Sequence, residues 1–376
     1  MRIAQIVPSL EEKHGGPSKS VQRLAATLSR FGHEVDLLAT RPGNETAATE
    51  EEGRLRVLQF RRDRPEFLCA SADLQDHLRQ HAYDCLHHHA LWLRTLHYAC
   101  RAAHTTGARL VISPRGMLSD WSWRHRRWKK WLAARLVHPG AFTQAHGWHA
   151  TSEAEADDIR RRGFSQPVCV APNGVEVPSA EELTRAHEVW TQLCPAVAVR
   201  PVAVFYSRFH RKKRLLELID LWIDIAPKEW LLLVAGIPQE YTVESLTAYV
   251  QRRSAQERIV VFDGSDRPPP YGVASLFLLP SHSENFGMVV AEAMAWGVPV
   301  LVTDSTPWAE LSEQNAGWCV PWENYGPALR HAIAESTDRL EQRGARARDW
   351  VLARYSWEQT VRPLTEFYDR LANTVS

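Results

Sequence analysis

Short apolar segments alternate with amphipathic segments in two series along this chain, and this pattern restricts the fold more than any other feature of the sequence. Short apolar segments are typical of buried strands, and the periodic segments between them are typical of helices. Strands that alternate with helices form a parallel sheet with helices on both faces. The first series of predicted strands covers residues 3–7, 35–39, 56–60, 85–88, 110–112, 148–151 and 168–171.

The pattern breaks near residues 175 to 200 and then starts again. Because a chain of 376 residues is long enough for two domains, we predict an N-terminal domain over 1–178, a linker over 179–200 and a C-terminal domain over 201–356. Open α/β sheets bind ligands beside the carboxyl ends of their strands, so two facing sheets would hold a ligand in the cleft between them. The second series of predicted strands covers residues 202–206, 230–235, 259–262, 275–279 and 298–302.

Composition excludes several classes of protein. The chain has 45 Lys and Arg against 44 Asp and Glu, a net charge of +1, which argues against a globally basic nucleic-acid-binding protein. No apolar run approaches the roughly 18 residues of a membrane span, and the N-terminus is charged too early for a signal peptide. The six cysteines lie far apart without a CxxC pair, so we expect free thiols in the cytoplasm rather than a zinc knuckle or a disulfide framework.

A strand, a polar loop and a helix over residues 279–300 carry two carboxylates, Glu284 in the loop and Glu292 in the helix. The free N–H groups at a helix N-terminus favour an anion, whereas carboxylates accept hydrogen bonds from hydroxyls. Together they suit a nucleoside-diphosphate sugar, which has phosphates between two groups that bear hydroxyls. The alternative is that Glu284 caps the helix and Glu292 is a solvated helix residue.

A basic loop follows the first strand of the second series. Five of the nine residues 206–214 are Arg or Lys. At a strand end, Arg208 and Lys213 could offer a forked donor and a point charge to a diphosphate. The alternative is a solvated basic loop.

Six segments, which appear along the chain in the family's order, resemble the retaining GT-B glycosyltransferases of family 4. Glu284 and Glu292 reproduce the family's Glu-x7-Glu pair, and Arg208 and Lys213 its Arg-x4-Lys clamp. The other four are GGPSKSV near the N-terminus, PNGV at 172–175, YDCLHHH at 83–89, and Thr303-Asp304. The segment PRGML at 114–118 is similar to that of a bacterial subgroup.

The resemblance implies an α/β, GT-B fold of two Rossmann-like domains facing across a cleft, with the last helix, 357–376, crossing back to the first domain. It implies transfer of a hexose, with retention, from a nucleoside-diphosphate sugar to a saccharide or lipid-linked saccharide in bacterial surface polysaccharide synthesis. No metal or other cofactor is expected. Alternatives are a nucleotide-sugar epimerase or phosphorylase of the same fold, and an inactive homologue that binds nucleotide sugars.

The resemblance also implies residue roles. Arg208 and Lys213 would hold the diphosphate and stabilise the leaving group, Glu284 would bind sugar hydroxyls, and Glu292 would bind the ribose. The remaining donor-binding residues would be Gly15 and Gly16, where a Cβ would block the phosphate, and the backbone of Asn285, Phe286 and Gly287.

Two residues of the first domain are candidates for binding the acceptor. Arg115 stands in PRGML where many family members have a histidine, and it would contact the acceptor or an anionic group, or merely order the loop. His89 ends a strand. Consecutive residues of a strand point to opposite faces, so His87, His88 and His89 cannot converge on a metal, although His87 and His89 share a face.

The stretch 121–136 has four Trp, six Lys or Arg and no acid. Tryptophan prefers the bilayer interface and basic residues attract anionic lipid, so this stretch is a candidate for docking on the inner face of the cytoplasmic membrane. The alternatives are a tryptophan stripe in the core, a solvated basic face, and stacking on nucleic acid. The candidate docking residues are Trp121, Trp123, Arg124, Arg127, Trp128, Lys130 and Trp131.

Overall fold

The computed structural model describes residues 1–11, 16–43, 48–124, 127–225, 227–284 and 286–373. The chain forms two compact units, of which unit 1 comprises Met1–Gly174 with Trp357–Ser376 and unit 2 comprises Val175–Ser356. The segment predicted as a linker, 179–200, contains a 14-residue helix that belongs to unit 2. No helix among the described residues is long and apolar enough to cross a membrane.

Unit 1 is built on an eight-stranded sheet. Its strands are β1 (Arg2–Val7), β2 (Glu34–Arg41), β3 (Ala48–Glu52), β4 (Leu55–Arg61), β5 (Cys85–His89), β6 (Arg109–Ser113), β7 (Gly147–Ala150) and β8 (Val168–Val170). Their order is β3-β4-β2-β1-β5-β6-β7-β8, and only β3 runs antiparallel to its neighbour. Strand β3 is absent from the predicted strands, because this edge strand, ATEEE, is polar and lacks the apolar pattern of the others.

Most helices that cover this sheet bury one apolar stripe. In the first helix the residues Val21, Leu24, Ala25 and Leu28 recur at helical spacing and are all buried. The helices before the linker region are α1 (Gly16–Arg30), α2 (Ala72–Gln80), α3 (Arg94–Thr106), α4 (Asp120–Arg124), α5 (Arg127–Leu132) and α6 (Glu153–Arg161).

Unit 2 is built on a six-stranded, fully parallel sheet. Its strands are β9 (Val202–Tyr206), β10 (Leu231–Gly236), β11 (Ile259–Asp263), β12 (Leu276–Leu279), β13 (Val300–Thr303) and β14 (Gly317–Val320). Their order is β11-β10-β9-β12-β13-β14, so the chain reverses its direction of winding between β9 and β12. Such a reversal opens a crevice at the carboxyl ends of the two central strands, where ligands bind in open α/β sheets.

The remaining helices of unit 2 pack on both faces of its sheet. They are α7 (Ala180–Leu193), α8 (Leu215–Ile225), α9 (Val243–Arg252), α10 (Met288–Ala295), α11 (Trp322–Ala334) and α12 (Thr337–Tyr355). The prediction of two parallel-sheet α/β domains is confirmed.

The C-terminal helix α13 (Trp357–Asn373) belongs to unit 1 and packs against α1 and β8. Val361, Leu364 and Phe367 are buried in the core that it shares with α1. The Phe367 ring lies so close to Gly147 on β7 that a Cβ there would be 2.4 Å from it, so the helix needs a glycine at that position.

Candidate active site

The crevice of unit 2 brings together two of the residues singled out in the sequence. Lys213 ends the short 3-10 helix Arg211–Lys213 after β9, and Glu284 lies in the loop after β12. The Lys213 ammonium donates to the Glu284 carboxylate, and the two side chains are only 7% and 11% exposed. The two sequence motifs therefore come together through a buried ion pair, at the point where the chain reverses its direction of winding along the sheet.

The charges at this pair are fixed by their surroundings. Burial alone would raise the pKa of Glu284, but the Lys213 charge and the hydrogen bonds from Lys213 and Ser281 outweigh it and lower that pKa. Burial lowers the pKa of the neighbouring Lys212, and repulsion by Lys213 and Arg208 adds to that effect against the attraction of Glu284. Glu284 is therefore an ionised carboxylate in a cationic surrounding.

Hydrogen bonds hold the Glu284 loop in place. The Ser281 carbonyl accepts from the hydroxyls of Thr303 and Ser305, both at 2.6 Å. The Glu284 N–H donates to the Ser305 carbonyl at 3.3 Å, and the His282 N–H donates to the Lys212 carbonyl at 2.8 Å. The carboxylate is thus positioned by the end of β13 and by the basic loop itself.

Arg208 differs from the other arginines of the basic loop. Its side chain is exposed and makes no hydrogen bond or ion pair with the residues that the structure describes. Arg211 is already paired with Glu240 at 2.9 Å, and Arg214 donates to His282 and lies over the Trp322 ring. Arg208 is therefore the cation of this loop that can take an anionic ligand without giving up a partner.

Helix α10 begins beside the pair. Gly287 caps its N-terminus with φ +79°, a left-handed conformation, and a Cβ there would lie 3.2 Å from the Trp308 indole nitrogen. Phe286 is buried against Trp308, which donates to the Phe286 carbonyl at 2.8 Å. Inside the helix, Glu292 accepts from the Tyr271 hydroxyl at 3.3 Å.

Some predicted donor residues cannot be placed. Asn285 and Gly15 lie outside the described residues, and Gly16 is the first residue of α1.

A cavity of about 450 Å³ lies beside the carboxyl ends of β10 and β11. Near it the Gly236 Cα approaches the Ser207 carbonyl so closely that a Cβ would be 1.7 Å from that oxygen. This cavity was not predicted, because its only signal in the sequence is the single glycine at the end of β10. Its walls are formed by Pro238, Thr242, Val243, Glu244, Val261, Phe262, Asp263 and Arg267.

In unit 1, His89 and Arg115 are in contact. Arg115 Nη2 lies 3.0 Å from His89 Nδ1, and Arg115 Nη1 donates to Asn173 Oδ1 at 2.5 Å. His89 is fully buried, whereas Arg115 is partly exposed. The buried His89 side chain thus contacts the guanidinium of Arg115. Of these two predicted acceptor residues, only Arg115 has a solvent-accessible side chain.

The strand alternation predicted for the three histidines is present. The His87 and His89 ring centroids lie 4.1 Å apart, while His88 Nε2 forms a hydrogen bond with the Thr95 hydroxyl at 2.9 Å. Within the described residues, no group of three or more His, Cys, Asp or Glu is arranged to hold a metal ion.

Comparison with known proteins identifies the family. A family model described as "Glycosyl transferase 4-like domain" matches residues 15–174, and one described as "Glycosyl transferases group 1" matches residues 200–338. The two matches follow each other along the chain and cover most of both units. This chain belongs to the family 4 glycosyltransferases and has the GT-B fold.

Similar proteins include the GDP-mannose:cellobiosyl-diphosphopolyprenol alpha-mannosyltransferase of Komagataeibacter xylinus. It is 27% identical to this glycosyltransferase over 178 residues, which are 44% of this chain and 44% of that protein. The chain aligns with less than half the length of the first curated relatives it matches, 44% and 49%.

Solved structures share the fold of this glycosyltransferase. Sucrose-phosphate synthase from Thermosynechococcus elongatus has a TM-score of 0.76 at 18% identity, covering 99% of each chain. Anabaena Alr3699/HepE in complex with UDP and glucose has a TM-score of 0.75 at 18% identity, covering 98% of this chain and 100% of that one.

The Trp/Arg stretch of the glycosyltransferase is divided between packed and exposed residues. Trp123 packs on Trp92 at 5.8 Å, and Lys130 donates to the Ser122 carbonyl, so both face the unit. Trp128 and Trp131 are 66% and 64% exposed, which excludes them from a core stripe. The side chains of Trp121, Arg124 and Arg127 lie outside the description.

Proposed function

We propose that this glycosyltransferase moves a hexose from a nucleoside-diphosphate sugar to a saccharide or lipid-linked saccharide, with retention of configuration and without a divalent metal. The observation that carries the proposal is the buried Lys213–Glu284 pair in the crevice between β9 and β12, with the unengaged Arg208 beside it. Cations there suit a departing diphosphate, and the carboxylate suits sugar hydroxyls. One relative is named for GDP-mannose and one structural neighbour contains UDP and glucose, which supports this class of donor.

The geometry suggests what happens when the donor binds. The diphosphate oxygens compete with Glu284 for the Lys213 ammonium and recruit the exposed Arg208 guanidinium. The Glu284 carboxylate, loosened from lysine, then accepts hydrogen bonds from sugar hydroxyls. Glu292, which accepts a hydrogen bond from the Tyr271 hydroxyl at 3.3 Å, would also accept from the ribose hydroxyls.

The transfer step makes one bond and breaks one. The acceptor hydroxyl oxygen bonds to the anomeric carbon on the face from which the diphosphate leaves, while the carbon–oxygen bond to the diphosphate breaks. The hydroxyl proton passes to the departing diphosphate oxygen. Because negative charge grows on that oxygen, cations held in place before the reaction lower the barrier without rearranging.

The test uses the full-length chain and the variants Lys213→Ala, Glu284→Gln and Arg211→Gln. A thermal-shift screen with nucleoside diphosphates selects the donor, and NMR then follows donor consumption and the anomeric configuration of the product. We expect the first two variants to lose at least about 100-fold in kcat/KM, the scale of a lost transition-state contact. Arg211→Gln removes a charge from the same loop, but that charge already belongs to Glu240, so its rate should stay within about threefold of wild type.

Three results would contradict the proposal. Wild-type rates in Lys213→Ala would remove this pair from the mechanism, and full loss of activity with EDTA would show that a metal is required. Binding of a nucleotide sugar without turnover under any condition would favour an inactive homologue.

We also propose that the enzyme works at the cytoplasmic surface of an anionic membrane in bacterial surface polysaccharide synthesis. Trp128, Trp131, Leu132 and Leu136 recur at helical spacing on α5 and the following turn and are 66%, 64%, 41% and 62% exposed. The Arg135 guanidinium lies 5.8 Å from the Trp131 ring. An exposed apolar face edged by cations suits the interface of anionic lipids, and the name of the K. xylinus relative includes a polyprenol-linked acceptor.

Co-sedimentation with phosphatidylglycerol vesicles tests this surface. The double variant Trp128→Ser with Trp131→Ser should bind at least tenfold less, and wild-type binding should weaken as salt rises. Phe67→Ser is the matched control, since Phe67 is 76% exposed in unit 1 but lies outside this helical stretch. Equal vesicle binding by both variants would refute the surface.

A further inference from the structure

Seven side chains of unit 1 form one continuous chain of hydrogen bonds along the carboxyl ends of β1, β5, β6 and β7. The chain starts at Arg115 and ends at the backbone carbonyl of Ala171. It crosses the sheet and includes one residue of the C-terminal helix. In order, its members are Arg115, His89, Gln5, Tyr368, His87, Ser113 and His149.

The direction of the first half follows from what each group can do. An arginine only donates, so Arg115 Nε and Nη2 donate to His89 Nδ1 at 3.3 and 3.0 Å. A neutral imidazole then carries its proton on Nε2, which donates to Gln5 Oε1 at 2.7 Å. The Gln5 amide in turn donates to the Tyr368 hydroxyl at 3.2 Å.

The second half continues in the same direction. The Tyr368 hydroxyl donates to His87 Nδ1 at 2.5 Å, and His87 Nε2 donates to the Ser113 hydroxyl at 2.7 Å. Ser113 donates to His149 Nδ1 at 2.7 Å, and His149 Nε2 donates to the Ala171 carbonyl at 2.8 Å. A carbonyl only accepts, so both ends of the chain impose one direction and one tautomer on each histidine.

The charge of Arg115 therefore rests on neutral partners. Its remaining partner, Asn173 Oδ1, is also neutral. The nearby Glu155 uses its carboxylate to accept from the Gly116 N–H and from the N–H and hydroxyl of Thr151. No carboxylate among the described residues forms a direct ion pair with Arg115. Burial lowers the pKa of Arg115, and the charge of Glu155 offsets only part of that effect.

Arg115 also has donors left and a strained backbone. Its contacts use three of the five guanidinium N–H groups, and the side chain is partly exposed. Its φ is +53°, a left-handed conformation that a non-glycine residue keeps only where the surroundings impose it, often at ligand sites. The fold thus holds a cation that has free donors, and no direct ion pair with a described carboxylate, just after the carboxyl end of β6, where ligands bind in such sheets.

We propose that Arg115 binds an anionic group of the acceptor, the oxygens of a phosphate or a carboxylate, in a site built by this hydrogen-bond chain. That the ligand is the acceptor rests on the proposed function, whereas the anion site itself does not. His89 and Tyr368 are positioning residues, because they act on the anion only through Arg115.

The experiment measures phosphate binding by calorimetry with inorganic phosphate as the probe. All proteins carry Lys213→Ala, which removes the phosphate site proposed in unit 2. Arg115→Gln should weaken phosphate binding at least tenfold, the worth of one or two charge-assisted hydrogen bonds, and Arg115→Lys should recover part of it. Arg109→Gln, at the opposite end of the same strand β6, is the matched control and should not change it.

A second arm distinguishes the two anions. With the donor-side diphosphate saturating and Lys213 intact, the bound fractions of glucose, glucose 6-phosphate and glucuronate are compared. We expect one charged sugar to bind at least tenfold more tightly than glucose in the wild type, and this preference to disappear in Arg115→Gln.

The positioning role has its own readout. Tyr368→Phe should lower phosphate affinity severalfold while the melting temperature stays within a few degrees, and the ¹⁵N shift of His87 Nδ1 should move because it loses its donor. Unchanged His87 and His89 signals with unchanged affinity would show that the chain does not hold Arg115.

Two outcomes would overturn the anion site: phosphate binding that is equal in Arg115→Gln and Arg109→Gln, or no phosphate binding once Lys213 is replaced. Neither outcome bears on the transferase itself, because Arg115→Gln with Lys213 intact should still bind the nucleotide sugar. Loss of donor binding in Lys213→Ala alone, in contrast, tests only the site in unit 2.

Discussion

Acidification should destabilise unit 1 through its buried histidines. His87, His88, His89 and His149 are all buried on β5 and β7. Burial is the largest cause that lowers their pKa values, to about 3 for His88 and about 3 for His149 and well below the ordinary value for His87 and His89. Neighbouring histidines and Arg115 add repulsion at His87 and His89.

The sign and size of the effect follow from proton linkage. The folded pKa values lie below the unfolded value near 6.5, so below pH 6.5 the unfolded chain binds more protons than the folded one. Their stabilising contribution is complete above pH 6.5 and falls as the pH drops toward 3. Each histidine contributes about 1.4 kcal/mol per pH unit, so His88 and His149 together cost about 4 kcal/mol between pH 7.5 and pH 5. His87 and His89 act in the same direction, against a total stability of about 5–15 kcal/mol.

The assay is hydrogen exchange at pH 7.5, 6 and 5, corrected for intrinsic rates, with peptides from both units. Peptides of β5 and β7 should lose protection before those of β9 and β12, which contain no histidine. His149→Gln should lower the stability at pH 7.5 but flatten its pH dependence by about 1.4 kcal/mol per unit. The exposed His104→Gln is the matched control and should leave the slope unchanged. Protection of β5 and β7 that is flat from pH 7.5 to pH 5 would refute the reasoning.

Three further predictions concern two glycines, Gly236 in unit 2 and Gly53 in unit 1, and the carboxylate of Glu292. Gly236→Ala should unfold the unit or destabilise it by more than about 3 kcal/mol in urea melts, because its Cβ would meet the Ser207 carbonyl at 1.7 Å. Gly53 has φ +59° but open space around the position of a Cβ. Gly53→Ala should therefore lower the free energy of unfolding by only about 1–2 kcal/mol. Glu292→Gln should raise the donor KM about tenfold with little change in Tm, and the effect should vanish with a donor that lacks the ribose hydroxyls.

The sequence predicted the sheets well because their strands are apolar. Buried parallel strands such as β12 and β13 consist of Leu, Phe, Val and Thr, and that composition is visible without any tertiary information. Strand prediction from the sequence failed at the edges of the sheets, where β3 is acidic and β14, GWCV, is only partly buried. Edge strands face solvent, so they need no apolar signature.

The same contrast holds for the site. Glu284 and Lys213 stand in local motifs and could be predicted, and the structure places them in contact. The partners of Arg115 could not be predicted, because Gln5 and Tyr368 lie 363 residues apart and meet only when the last helix packs on the first sheet. A lone glutamine on an apolar strand gives no signal of its own. His89 was predicted from its strand-end position, and the structure shows that its side chain is fully buried and in contact with Arg115.

The two units stabilise a strand-end cation in opposite ways, and this difference has a chemical consequence. In unit 2 the ammonium of Lys213 is paired with the Glu284 carboxylate. In the proposed mechanism an incoming diphosphate would displace Glu284 and so free that carboxylate for sugar hydroxyls. In unit 1 the guanidinium of Arg115 rests on a neutral imidazole and an amide, so an incoming anion displaces no counter-charge. The Lys213 site therefore suits a ligand that brings an anion to the lysine and hydroxyls to the carboxylate. The Arg115 site suits a ligand whose anionic group is bound but takes no part in the reaction.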